Sequence, residues 1–141
     1  MEAISEEKRK EIAAYNAFIR GLDLVHITLE RVEAVQKPEL LSESFNFSLS
    51  DKVSYSAESG FLTVTAQYKF VAKNERKIAI KIDATYTLTF KSETPVNDTV
   101  FQEYRHRVLH FTVWPFLREL AHSMTSRMGL PPLTLPMIRN V

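Results

Sequence analysis

The sequence predicts a single α+β domain, an antiparallel four-stranded sheet with helices on one face. A length of 141 residues suits one domain, here 1–141. Residues 23–90 alternate apolar and polar side chains between turn signals, which predicts strands. Residues 1–22 and 98–129 repeat apolar side chains at helical spacing. Strands in one run and helices in another are typical of the α+β class. The proline-containing residues 130–141 predict an extended tail.

The N-terminal helix is predicted from Ser5 to Leu22. Serine is a favoured N-cap, and the glutamates that follow Ser5 suit the positive end of the helix dipole. Gly21 marks the exit from the helix. The apolar positions step by three, four and three, which places them on one face: Ile12, Tyr15, Ile19 and Leu22.

Four strands are predicted between this helix and the next. Their approximate limits are Val25–Ala34, Phe45–Ala57, Leu62–Phe70 and Ile78–Phe90. The apolar phase of the first strand shifts near Glu30 and Arg31, which indicates a β-bulge. Ser59-Gly60 and the loop Lys73–Arg76 predict the two hairpin turns. One face of this sheet is therefore expected to be apolar and buried, and the other face polar and exposed to solvent.

Two helices are predicted after the sheet. The first begins at a cap on Asp98 or Thr99 and runs to about His110. The second begins at Pro115, since proline is favoured in the first turn of a helix, and ends at Gly129.

Composition excludes several classes of function. The formal net charge of +1 gives no lopsided field for nucleic acid. No stretch approaches the ~20 apolar residues that span a bilayer, so no membrane insertion is expected. The chain has no cysteine, which excludes disulfides and thiol chemistry and fits a reducing cytoplasm. The charged N-terminus is unlike a secretory signal.

One alternative reading is a small-molecule-binding domain or a metal-dependent hydrolase. His106 and His110 stand four residues apart on a predicted helix, and Glu103 lies one turn earlier. Zinc sites usually need a third ligand and a set pattern such as H-E-x-x-H, which is absent. We therefore expect no metal, no cofactor and no catalytic residue.

The segment from Trp114 to Pro136 resembles the SecB family of export chaperones. Those proteins carry an F-P-Y-A-R-E type helix start, a serine-methionine-arginine-glycine stretch and an F-P-P-L-x-L-x-P segment. The residues of this chain that fall on those positions are Pro115, Arg118, Glu119, Gly129, Pro132, Leu133 and Leu135. The resemblance implies the same sheet, a homotetramer built as a dimer of dimers, and ATP-independent holding of unfolded polypeptides. One branch of the family protects antitoxins of toxin–antitoxin systems instead of serving export.

Client polypeptides are expected to bind in an apolar groove, and no covalent step is needed. The side chains predicted to contact them are Phe45, Phe47, Leu49, Tyr55 and Trp114. Members of the family dock the translocase motor through an acidic sheet face. The matching hairpin here carries Lys69, Lys77 and Lys81, so weak or no binding to that motor is expected.

The family's last helix is not encoded after the proline-rich segment, whereas the N-terminal helix is extra. We expect this extra helix to pack over the groove or a subunit boundary. The alternative is that this helix packs as part of the domain's own core.

Overall fold

The structure, a computed structural model, describes residues 5–43 and 45–135. Two helical stretches flank a sheet of four antiparallel strands in the order β1-β4-β3-β2, which confirms the predicted α+β class. The elements are α1 (Glu6–Arg20), β1 (Leu22–Gln36), a 3₁₀ turn (Pro38–Leu40), β2 (Phe47–Glu58), β3 (Phe61–Asn74), β4 (Lys77–Ser92), α2 (Asp98–Tyr104), a π-helical segment (Arg105–Leu109) and α3 (His110–Arg127). Residues 136–141, which include Pro136, lie outside the described residues. The expectation that no further helix follows the proline-rich segment concerns these same residues.

The strands confirm the predicted turns and bulge. Ser59 and Gly60 both have positive φ, 53° and 81°, as a tight hairpin turn between right-twisted strands requires. The second hairpin turns at Glu75 and Arg76 alone, because both strands extend further than their alternation indicates. The register of β1 against β4 shifts between Leu29 and Arg31, where the apolar phase changes in the sequence.

The two helices predicted after the sheet are one continuous helix from 98 to 127, and this correction has a physical reason. Pro115 lies inside α3, where it removes the N–H that would bond the carbonyl of Phe111. A π-helical segment lies upstream, at Arg105–Leu109. The helix continues because its buried stripe is unbroken on both sides of the proline: Leu109, Val113, Leu117, Leu120 and Ala121. The N-cap is Asn97, whose Oδ1 accepts from the N–H of Val100 at 2.9 Å, and not Asp98 or Thr99.

The core lies between this long helix and one face of the sheet. The inward residues of β3 and β4 are buried, among them Leu62, Val64, Ile82 and Leu88, each at 0% exposure. Helix α1 packs against α2 and adds Phe18, which is 1% exposed. The Phe18 ring stands edge-on to Tyr104 with ring centroids 6.0 Å apart. Among the described residues, no helix is long and apolar enough to cross a bilayer.

Candidate functional site

An apolar groove with a cavity volume of about 250 Å³ lies at the end of the sheet where β2 begins. It is bounded by the loop before β2, the start of that strand, one residue of β4 and the segment after α3. The lining residues are Ser42, Glu43, Phe45, Phe47, Ile80, Thr125, Leu130, Pro131, Pro132, Leu133 and Thr134. Glu43 is the one charged side chain among them. This set of residues, called the groove below, is suited to apolar side chains.

The floor of the groove comes from three paired strands. Phe47 on β2 lies opposite Ala72 on β3, and Ala72 lies opposite Ile80 on β4. Ala72 and Ile80 are fully buried, whereas Phe47 is half-buried. Phe45 and Leu130 pack against the same small cluster. Alternation places these side chains on the inward face of the sheet, beyond the part that the long helix covers.

The wall of the groove is the segment 130–135, which hydrogen bonds fix to α3. Thr125 Oγ1 accepts from the Leu133 N–H at 2.8 Å and donates to the Ala121 carbonyl at 2.7 Å. Arg118 Nε donates to the Leu135 carbonyl at 2.9 Å. Gly129 has φ 77°, the left-handed conformation that reverses the chain after α3. The segment is therefore held against the helix by side chains that are themselves anchored.

These contacts give most of the predicted motif residues a structural part. Arg118 and Leu135 join helix and segment directly, while Gly129 makes the turn between them. Pro132 and Leu133 line the groove, so the motif's spacing matches one built feature.

The other two motif residues lie on the helix itself. Pro115 is exposed within α3, and Glu119 is exposed on the side facing Tyr86. Burial raises the pKa of Tyr86 to about 12, and the negative charge of Glu119 adds to that shift.

The structure brings two of the five predicted contact residues together and places the other three elsewhere. Phe45 and Phe47 line the groove. Leu49 follows on the same face of β2 and is 39% exposed. Tyr55 lies eight residues beyond Phe47, about 26 Å along an extended strand. Trp114 lies on α3, half-buried, with its ring 4.9 Å from that of His110.

Tyr55 has its own packing site at the far end of β2. Its ring lies 4.2 Å from that of Phe101, and its hydroxyl donates to Asp98. Four residues earlier on β2, Asp51 accepts a hydrogen bond from Arg105 at 3.3 Å. These contacts clamp β2 to the long helix.

Reasoning from sequence missed seven lining residues: Ser42, Glu43, Ile80, Thr125, Leu130, Pro131 and Thr134. Ile80 and Leu130 are ordinary apolar residues whose place depends on strand register and on the turn at Gly129. Thr125 sits inside an apolar helix stripe and is 1% exposed, which signals a polar side chain with a specific partner.

The predicted third ligand beside His106 and His110 is engaged by another side chain. Glu103, the third candidate ligand, is bonded by Arg107 at 2.8 Å, and Arg107 holds the pKa of its carboxyl below the usual range. Within 5–43 and 45–135, no group of three metal-binding side chains is present.

The outer sheet face is less basic than the sequence predicts. Lys81 pairs with Glu33, and Lys69 lies 4.0 Å from Asp83. Asp83 also accepts a hydrogen bond from Gln67 at 2.9 Å. Two of the three lysines are therefore offset by acidic neighbours on the adjacent strands.

Comparison with known proteins gives a likeness in structure. No family model matches the chain, and no curated protein matches it in sequence. Among solved structures, it is similar to the Mycobacterium tuberculosis SecB-like chaperone Rv1957, solved in complex with a ChAD peptide from the Rv1956 HigA1 antitoxin. The TM-score is 0.71 at 19% identity, covering 94% of this chain and 96% of that chain. A second similar structure is a protein of unknown function from Streptococcus agalactiae, at TM-score 0.48 and 13% identity over 82% of this chain and 97% of that one. The chain therefore has the SecB-like fold that its motif from Trp114 to Pro136 predicts.

Proposed function

We propose that the protein is an ATP-independent chaperone that binds unfolded or partly folded polypeptides in the groove. The observation that carries this proposal is an open apolar cavity bounded by Phe45, Phe47 and Leu133, with a single charged residue in its lining. The SecB-like fold supports it, because the similar Rv1957 structure holds a peptide from another protein. No catalytic group is required for such binding.

Two kinds of interaction would hold a client. Apolar side chains that enter the groove gain about 25 cal/mol for each Å² removed from water. Strand β2 is an edge of the sheet, so its outward backbone groups are free to pair with an extended client as an added strand. Its pairing with β3 is regular from Phe47 to Glu58, which leaves an unbroken edge beside the groove.

Among the two roles implied by the resemblance, we favour protection of an antitoxin over general export. The Rv1957 complex with an antitoxin peptide supports this choice. The outer sheet face also lacks the acidic character that docks the translocase motor, so that motor is not a proposed partner. The proposal includes a cytoplasmic location, where such clients are made, and a homo-oligomer, most simply the family's tetramer.

Aggregation of a chemically denatured client, followed by light scattering without nucleotide, tests the chaperone proposal. The parent protein is expected to delay aggregation, and Phe45→Asp to shorten that delay severalfold, because a charge in the groove opposes apolar burial. Phe61→Asp is the matched control, since Phe61 is 47% exposed and lies at the opposite end of the sheet. Circular dichroism confirms that both variants fold. Equal holding by the parent and the Phe45 variant would exclude the groove, and no holding by the parent would exclude the function.

A further inference from the structure

Strand β2 forms one edge of the sheet, and its hairpin turn determines which of its backbone groups face outward. In the described part of the chain only β3 pairs with it. The hairpin turns at Ser59 and Gly60, both with positive φ, and Glu58 lies opposite Phe61. In a two-residue turn of this kind the two closing residues exchange both backbone hydrogen bonds. The ladder with β3 therefore begins with a hydrogen-bonded pair at Glu58.

The regular register carries this alternation along the whole strand. No shift interrupts the pairing between Phe47 and Glu58. Residues at even positions therefore bond to β3, whereas residues at odd positions direct their N–H and C=O groups to the free edge. The odd positions also face inward, because they lie opposite buried residues of β3; Leu49, for example, lies opposite Phe70. Each residue that offers backbone groups at the edge thus places its side chain on the face that holds the groove.

The first part of this edge is apolar, and an ion pair follows it. Phe47 is half-buried in the groove lining, and Leu49, two residues on, is 39% exposed. Leu49 is the one exposed large apolar side chain among the described residues of β2. The next inward position is Asp51, which Arg105 of the long helix contacts at 3.3 Å. The apolar part of the edge beside the groove therefore comprises two inward side chains, Phe47 and Leu49, with a charged pair beyond them.

We propose that this edge selects clients by a directional pattern, polar-x-apolar-x-apolar, in a client strand that pairs antiparallel with β2. The inference rests on the proposed function, since it describes how the same groove recognises its clients. One apolar client residue lies opposite Leu49, and the second, two residues closer to the client's C-terminus, lies opposite Phe47. The residue two positions before the first lies opposite Asp51, where the ion pair with Arg105 favours a polar side chain.

Antiparallel pairing gives the two apolar client positions a second requirement. Directly opposite residues of such a pair exchange both backbone hydrogen bonds and point to the same face. Client residues opposite Phe47 and Leu49 therefore supply an inward apolar side chain and a free N–H, which excludes proline at both positions. The intervening client residues point to the outer face beside Ser48 and Ser50, which are exposed, so polar side chains fit there. Parallel pairing is slightly less stable and uses the N–H groups of the intervening residues instead.

The opposite edge of the sheet does not offer the same arrangement to a client. The register of β1 against β4 shifts twice, between Leu24 and His26 and between Leu29 and Arg31. Bulges of this kind protect an edge from pairing with a further strand. The pattern needs five consecutive regular positions next to the groove, and β2 supplies them.

A charge pair tests the register of this pairing. The probe is a fluorescein-labelled ten-residue peptide with serine at position 4, valine at positions 6 and 8, and threonine or lysine elsewhere. Glutamate in place of the valine at position 6 is expected to weaken binding to the parent at least tenfold, because it places a charge opposite Leu49. Leu49→Lys is expected to restore binding of the glutamate peptide at least tenfold, since the two charges then face each other.

Ser48→Lys is the matched control for that variant. It adds the same charge on the outer face of the same strand, so it is expected to restore binding of the glutamate peptide less than twofold. Fluorescence anisotropy at physiological salt measures the affinities, and circular dichroism confirms that both variants fold. Equal recovery by the two variants, or no recovery by Leu49→Lys, would overturn the register.

Backbone methylation of the same probe tests the strand pairing and its direction. A methyl group on the backbone nitrogen of position 6 or position 8 is expected to weaken binding at least tenfold, because it removes a hydrogen bond to the edge. The same group at position 7 is the matched control and is expected to change the affinity less than twofold, since that N–H faces away from β2. A loss at position 7 alone would show parallel pairing, and equal effects at all three positions would show no strand pairing. Either result overturns the proposal, as does failure of the unmethylated probe to bind.

These measurements are separable from the test of the chaperone proposal, which uses an aggregating client. If the parent delays aggregation while the methylated probes give another pattern, the chaperone function stands and the client pattern falls. If the parent does not delay aggregation but the probes follow the expected pattern, the edge binds peptides and the chaperone function falls.

Discussion

At the scale of single residues, Thr125 shows how a buried polar side chain shapes an apolar site. It is 1% exposed, yet each of its hydrogen-bonding roles is filled within the chain. Its oxygen receives the Leu133 N–H, which would otherwise face the apolar lining unpaired. Thr125 therefore stabilises the groove wall through its hydrogen bonds as well as through its packing.

Replacing Thr125 by valine keeps the shape and removes the acceptor. The Leu133 N–H loses its partner, so we expect a loss of about 1–3 kcal/mol in the free energy of unfolding. Thr28→Val is the control, because Thr28 is exposed and its hydrogen bond to the Thr87 carbonyl is long, 3.4 Å. Urea denaturation followed by circular dichroism measures both. Equal losses of unfolding free energy in the two variants would show that the hydrogen bond to Leu133 contributes no more to stability than the control's hydrogen bond does.

Buried tyrosines give the protein a predictable response to high pH. Burial raises the pKa of both Tyr68 and Tyr86 to about 12, well above the usual 10. A raised pKa in the folded state means that the stabilisation is complete below pH 10 and is lost as the pH rises towards 12. The free energy of unfolding is therefore expected to fall between these values.

Tyr68→Phe combined with Tyr86→Phe is expected to flatten that fall, because phenylalanine does not ionise. Urea melts at pH 8, 10 and 11 measure the effect. Burial also raises the pKa of Tyr104, which both proteins keep, so the comparison is the difference in slope between variant and parent. Equal slopes would show that these tyrosines do not ionise on unfolding.

Residue types alone predicted part of the groove. Phe45 and Phe47 were found because alternation identifies the inward face of β2. Tyr55 shares that face, but distance along the strand separates it from the groove. Trp114 belongs to a helix whose rotation about its axis depends on the π-helical segment, which periodicity does not reveal.

At the scale of elements, α1 belongs to the core and does not cover the groove. Phe18 is buried against Tyr104. Gly21, which follows α1, packs so closely on Glu93 that a Cβ atom at position 21 would lie 2.8 Å from the Glu93 Cβ. The groove lies at the other end of the sheet, beside Met128 and Leu130. The sequence left both placements open. An apolar stripe at helical spacing indicates that a helix packs against something, but it does not identify the surface that the helix packs against.

Phe18→Ala is expected to cost about 3–5 kcal/mol in the free energy of unfolding, the usual loss for a buried phenylalanine. Ile12→Ala is the control on the same helix, since Ile12 is 44% exposed and is expected to cost much less. Chemical denaturation measures both. Similar small losses would mean that α1 is a loosely attached extension, and deletion of residues 1 to 21 would then leave a folded sheet.

The sequence did not predict the bounds of the long helix. Proline is favoured in the first turn of a helix and unfavourable inside it, so Pro115 predicts a new start. Burial on both sides of the proline, from Leu109 to Ala121, outweighs the lost hydrogen bond. The four strands were easier, because alternation over eight or more residues has few alternative explanations.

At the scale of the whole molecule, the groove and an edge of the sheet lie together. The groove lies at the β2 side of the sheet, and β1 is the opposite edge. An extended client would therefore contact the groove with its apolar side chains and pair its backbone with β2 at the same edge, so that both proposed interactions act on one segment of the client.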